Sequence, residues 1–160
     1  MRRLSCGLVL AALAAACSSP PATVLDSPDE IIGLERAALE RWGRGDPDGY
    51  LSIMAADVTY FDPTTERRID GRAALRTLFD PIWGKVAIER SEMLNPAVVA
   101  SDDTALLTFN LVSHGGQLAD GPKADVRWNC SEIYRKIEGR WLIVHSHWSY
   151  TKPQVAQQGV

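Results

Sequence analysis

Cysteine is scarce in this chain. Three occur in 160 residues; Cys6 is expected to be lost with an N-terminal leader and Cys17 to carry lipid, so Cys130 is left without an intramolecular partner and a disulfide-stapled framework is excluded. Long apolar runs are lacking: the run from Leu8 to Ala16 falls well short of the ~20 residues that a stable membrane helix requires. Clustered positive charge is missing beyond Arg67-Arg68. The formal charge of −3 becomes −5 once Arg2 and Arg3 are removed, which argues against nucleic acid as a partner. No Gly-x-Ser-x-Gly elbow, phosphate loop or dinucleotide fingerprint occurs, so the usual carriers of nucleophilic hydrolysis and nucleotide chemistry are absent. No internal repeat is present.

What is there begins with a secretory signal over residues 1–16, with Arg2 and Arg3 ahead of the apolar run and small residues before Cys17. Leu13-Ala14-Ala15-Ala16-Cys17 resembles the bacterial lipobox, which predicts lipidation at Cys17. Residues 17–27, rich in Ser and Pro, then form a flexible tether. Ser18 and Ser19 supply no acidic retention signal, so the expected location is extracytoplasmic, on the periplasmic side of a bacterial membrane and more specifically the outer one. Residues 28–153 suffice for one domain with one core, and residues 154–160 are expected to be a disordered tail.

Ser27-Pro28-Asp29-Glu30 is a capping box that predicts a helix start. Ile31, Leu34, Ala38 and Trp42 follow at helical spacing, with Glu35, Arg36, Glu40 and Arg41 largely assigned to the polar side, and Gly43 to Pro47 ends the run. A short second helix carries Tyr50, Ile53 and Met54. A strand from Val58 to Asp62 leads to a third helix from Arg72 with Leu75, Leu78, Phe79 and Ile82 on one face. From Val86 the pattern turns to β, with strands at 86–92, 97–100, 104–113, 124–137 and 140–150, the last two joined by a tight turn at Glu138-Gly139. Helices followed by an antiparallel meander make an α+β layer architecture.

The order of elements and several strings resemble the nuclear transport factor 2 (NTF2-like) superfamily, in its SnoaL-like or DUF4440 branch. Asp70-Gly71, Trp83, Asn95-Pro96 and Gly139-Arg140-Trp141-Leu142-Ile143-Val144-His145-Ser146-His147 are similar to the association domain of calcium/calmodulin-dependent protein kinase II. Asp57-Val58-Thr59-Tyr60-Phe61-Asp62-Pro63 resembles, more distantly, the ketosteroid isomerase pattern. The resemblance implies a cone: about three N-terminal helices on a strongly curved antiparallel sheet, mostly dimeric and functionally diverse.

In such a cone, strand parity decides what lines the hollow. Val126, Trp128, Cys130, Glu132 and Tyr134 share one face of their strand and are expected to point inward, which places Glu132 among apolar groups where desolvation raises its pKa unless a cation pairs with it. Glu132 is either a satisfied buried acid or a ligand-facing one. The resemblance to the isomerase implies the second reading, as a protonated donor, with Asp62 as general base. The local reading of Asp62 before Pro63 is a turn cap. The isomerase's helical tyrosine falls here at Ala38, and Tyr50, Tyr60 and Tyr134 are the available substitutes. The kinase-type domain's cavity arginines fall at Leu111, Glu132 and Trp148, so the resemblance implies a more apolar or neutral polar ligand rather than an anion. Tyr50, Tyr60, Trp83, Trp128, Tyr134 and Trp148 are the candidate ligand-binding aromatics, the alternative for each being plain core.

His145 and His147 share a strand face but lack an evident third ligand, so neither a metal nor a cofactor is expected. Both are placed on the convex face with Trp141 and Ile143, where a second subunit covers them. The expected function is binding of a small organic ligand in the cone, or oligomeric assembly, by a lipid-anchored homodimer. The alternative is an isomerase-like or dehydratase-like enzyme using Asp62 and Glu132. Gly115 to Pro122 is expected to rim the cavity mouth.

Overall fold

A computed structural model describes residues 28–152. The expected signal, the expected lipidation at Cys17, the expected tether with Ser27 of the capping box, and the expected C-terminal tail beyond residue 153 lie outside the described residues. Helix α1 (Pro28–Gly43), a one-turn α2 (Asp48–Leu51) and α3 (Arg72–Phe79) cover the concave face of a seven-stranded sheet. The strands are β1 (Met54–Phe61), β2 (Ile69–Asp70), β3 (Val86–Ala87), β4 (Arg90–Ala100), β5 (Thr104–Leu118), β6 (Ala124–Ile137) and β7 (Arg140–Tyr150), in the order β2-β1-β7-β6-β5-β3, with β4 also paired to β5. This is the α+β cone of the NTF2-like fold.

The sheet is mixed. The C-terminal strands form the expected meander, but β1 runs parallel to β7, setting Tyr60 beside Ser146 and Phe61 beside His147. The β6–β7 hairpin closes at Glu138 (φ 50°) and Gly139 (φ 79°), two successive positive φ values that fit the tight turn of a twisted ribbon. The short second helix ends at Leu51 because Met54 already belongs to β1. The 86–92 segment divides into β3 and β4, and β4 runs on through Asn95 (φ 49°), where its pairing with β5 shifts register.

Burial along β6 follows the expected parity: Cys130, Glu132 and Tyr134 are buried, while Asp125, Arg127, Asn129 and Arg135 are exposed. Along β7 the expectation needs correction. Ile133 pairs with His145 while Tyr134 pairs with Ile143, so Val144 is an extra residue that reverses the side-chain alternation. Trp141 and Ile143 therefore face the core, as do Ser146 and Trp148 beyond the bulge, and only His145 and His147 remain on the outer face.

Helix α1 needs a second correction. Its buried face consists of Ile31, Glu35, Ala38 and Leu39, so the stripe is rotated toward Glu35, which is fully buried instead of solvated. Gly49 permits α2 to approach α1: a Cβ there would stand 2.6 Å from Arg41 Cβ and 2.9 Å from the Ala38 carbonyl oxygen. That approach delivers Tyr50 to the core.

Candidate functional site

Between the helices and the concave sheet lies a cavity of about 550 Å³, within the range of small-molecule sites. Helix α1 contributes Leu39 and Trp42, α3 contributes Leu78 and Phe79, β1 contributes Tyr60, and the sheet supplies Leu111, Ser113, Val126, Trp128 and Trp148. Gly116, Gln117, Leu118 and Pro122 form the rim, as expected of that connection, although its first half is still strand. Asp62 is the single charged side chain among the described residues of the wall, which includes no Lys, Arg or His.

The candidate residues divide into three groups. Tyr50, Tyr60, Trp128, Trp148 and Asp62 line the cavity. Glu132 and Tyr134 are completely buried behind its wall. Trp83 lies outside it, 41% exposed after the 3-10 turn at Asp80–Ile82, with the Arg76 guanidinium 5.6 Å from its ring centre; this placement corrects its assignment to the wall.

Asp62 caps its turn and also lines the cavity. Its Oδ1 accepts from the Thr64 amide at 2.7 Å and from the Thr64 hydroxyl, which caps the turn. Its Oδ2 accepts from the hydroxyl of Tyr60, which also lines the cavity, at 3.1 Å.

Behind the wall is an acid pair. The Tyr50 hydroxyl donates to Glu35 Oε1 at 2.7 Å and the Tyr134 hydroxyl to Oε2 at 2.6 Å. Glu132 lies in a row across the sheet between Leu107 and Ser146. Its Oε1 accepts from the Ser146 hydroxyl at 3.0 Å, whose oxygen in turn accepts from Trp148 Nε1 at 2.9 Å. Glu132 Oε2 has no hydrogen-bond partner among the described residues. Burial pushes the Glu35 carboxyl up to about 7 despite the two phenol donors. Burial, and then the charge of Glu35, holds Glu132 well above the ordinary carboxylate range. Among the described residues no cation pairs with either acid, so the neutral form is the way to bury them. Burial likewise pushes up the thiol of Cys130, which is 3% exposed and sits beside Trp148 as a small apolar filler.

Sequence reasoning missed Glu35, Trp42, Phe79 and Ser146. The signal for Glu35 was its position four residues after Ile31 and three before Ala38, on the apolar stripe itself.

The model of the calcium/calmodulin dependent protein kinase II association domain matches residues 28–152. Among solved structures, a proposed ketosteroid isomerase from Parabacteroides distasonis is similar at 34% identity, covering 81% of this chain and 91% of that one, with a TM-score of 0.67. The calcium/calmodulin-dependent protein kinase II hub of S. rosetta is similar at 25% identity over 84% of this chain and 99% of that one, with a TM-score of 0.61. An NTF2-like protein from Cytophaga hutchinsonii shares the fold at 13% identity and a TM-score of 0.66, covering 79% of this chain and all of that one (100%). No curated protein matches the sequence.

Proposed function

The chain belongs to the calcium/calmodulin dependent protein kinase II association-domain family, and from that premise we propose that it is a lipid-anchored, extracytoplasmic protein whose cone binds a small, largely apolar organic molecule. The observation that carries this reading is the cavity itself: about 550 Å³, walled by aromatic and aliphatic side chains, with Asp62 as its one charged group among the described residues. An apolar body gains by leaving water for such a wall, and Thr64, Ser113 and Gln117 supply neutral hydrogen-bonding groups to orient it. The anchor rests on Cys17 and the lipobox-like string before it. Mass spectrometry of the protein from a bacterial host tests it, since Cys17→Ser must abolish acylation and membrane retention.

Titration with phenylpropanol, followed by the fluorescence of Trp128 and Trp148, tests ligand binding. Saturable quenching with one site per subunit supports the reading. A linear response identical to that of free tryptophan contradicts it.

Homodimerisation through the convex sheet face is part of the proposal. Val99 (72% exposed) and Leu106 (39%) are opposed on neighbouring strands, and Phe61 (39%) stacks near His145 and His147. Such an apolar band gains by being covered.

The similarity to a proposed ketosteroid isomerase favours a second, catalytic reading, with Asp62 as general base and a neutral Glu132 as proton donor. The raised pKa of Glu132 suits a donor, whereas its complete burial behind Trp148 and Ser146 keeps it from a bound molecule unless the wall moves. Binding without turnover is therefore the better-supported function.

A further inference from the structure

Asp62 sits at one end of a chain of aromatic rings. Tyr60 packs on Phe79 with ring centres 6.0 Å apart, Phe79 on Trp42 at 5.0 Å, and Trp42 on Tyr50 at 6.1 Å. Tyr50 then meets Trp148 at 6.0 Å, and Trp148 meets Trp128 at 5.9 Å. All six rings line the cavity. Trp128 continues to Tyr150 at 4.8 Å, whose phenol is held above its ordinary range by burial and by the nearby Asp62 charge. At the other end the Tyr60 hydroxyl donates to Asp62 Oδ2. One carboxylate thus ends a run of rings along the cavity wall.

We propose that the ligand of this cavity is an organic cation, an ammonium group carried on an apolar body. The proposal rests on the reading of the cavity as a ligand site and narrows its chemistry. Aromatic faces present negative potential to a cation, and among the described residues no positive side chain in the wall competes for those faces or for Asp62. Asp62 Oδ1 is occupied by two donors from Thr64, but among the described residues Oδ2 accepts only the Tyr60 hydroxyl, at 3.1 Å. It retains a lone pair for an N–H donor or a close ion contact. Asp62 is half-buried at the wall, so an ammonium placed beside it gains a close opposite charge while its apolar body leaves water. An anionic ligand meets the reverse: no counter-charge in the wall and repulsion from Asp62. The cavity is far larger than an ammonium group, so the charged head occupies the Asp62 end while the body extends along the rings toward Leu111 and Ser113.

Calorimetric titration with phenylpropylamine, phenylpropanol and phenylpropanoate at pH 6.5 tests this, because the three share a body and differ in the charge of the head. The amine is expected to bind at least about tenfold more tightly than the alcohol, with the acid weakest. Asp62→Asn keeps an oxygen for the Thr64 turn while removing the charge, and is expected to bring the amine to within about threefold of the alcohol, both measured on the same variant. Circular dichroism and melting temperature serve to show that the variant is folded. Alcohol binding as tight as amine binding, or an amine preference that survives Asp62→Asn in the folded variant, overturns the cation proposal and leaves the cavity reading standing. Failure of all three probes to bind overturns both.

Discussion

Tyr50 and Trp148 meet edge to face, 6.0 Å apart and 89° between planes, and each is tied from behind to a different buried carboxyl. Tyr50 is held by Glu35 directly, and Trp148 by Glu132 through the Ser146 hydroxyl. Burial raises the pKa of both acids and the charge of Glu35 raises that of Glu132 further, so the protonation of a pair outside the cavity bears on two rings that line it. Neutral acids hold the wall with ordinary hydrogen bonds, and ionising both places two like charges in low dielectric.

Stability is expected to fall as pH rises from about 5 to about 8. A carboxyl raised from 4.5 to about 7 in the folded protein contributes stability that is fully present below the unfolded pKa. That contribution is lost as pH rises through the folded value, amounting to on the order of 3 kcal/mol for Glu35. Urea unfolding at pH 5 and pH 8 measures this slope, and Glu35→Gln is expected to flatten it. The same slope in the variant assigns it to other groups.

Glu132→Gln is expected to cost less than about 1 kcal/mol at pH 7, because the amide resembles the neutral acid that burial enforces. Glu132→Ala is expected to cost about 2–4 kcal/mol, leaving a void beside Leu107 and the Ser146 hydroxyl without its acceptor. Chemical denaturation of both variants gives the comparison. A glutamine variant losing 3–5 kcal/mol marks an ionised, paired glutamate instead.

The β6 reading was legible because alternation is local: one strand with Cys130, Glu132 and Tyr134 on one side and polar residues on the other declares its faces. The acid in the α1 stripe was misread because polarity was given more weight than spacing, although Glu35 lies on the same face as Ile31 and Ala38. The parallel β1–β7 pair joins segments more than eighty residues apart, which no local pattern encodes. The Val144 bulge reversed Trp141 and Ile143 for the same reason, since it exists only in the register of one strand against another. Trp83 carries an aromatic side chain like those in the wall, but the 3-10 turn aims it outward, and its family-like string said nothing of direction.

Leu106→Glu is expected to convert the proposed dimer to a monomer, placing a charge at the centre of the Val99, Leu106 and Ile133 row on the outer sheet face. Leu106 is already 39% exposed, so the monomer's fold is expected to survive. Analytical ultracentrifugation of both proteins decides it. A wild-type monomer at micromolar concentration ends the dimer proposal.

Acid is expected to weaken the same association. Burial, followed by the neighbouring His147 and Arg68 charges, lowers the His145 pKa below its ordinary value. The ring is therefore neutral at pH 7, with Nδ1 2.7 Å from the Thr59 hydroxyl. Protonation at lower pH adds charge to a face proposed to be covered. Size-exclusion elution at pH 5 and pH 8 is expected to differ, and an unchanged profile removes the histidines from the interface.

Asp62→Ala separates the turn cap from a catalytic base. Loss of the Thr64 contacts is expected to cost about 1 kcal/mol, leaving a folded domain. In a screen of isomerase and dehydratase substrates the wild type is expected to show no turnover. Turnover abolished by this substitution in a folded variant establishes the catalytic reading.

Filling the hollow is the most direct test that the cavity is the functional part of the molecule. Ser113 is 5% exposed and lines the cavity from β5, so Ser113→Trp places an indole where the ligand body is proposed to lie. With the circular dichroism of the variant unchanged, phenylpropanol titration is expected to give one saturable site per subunit in the wild type and none in the plugged protein. Equal binding by both proteins contradicts the account.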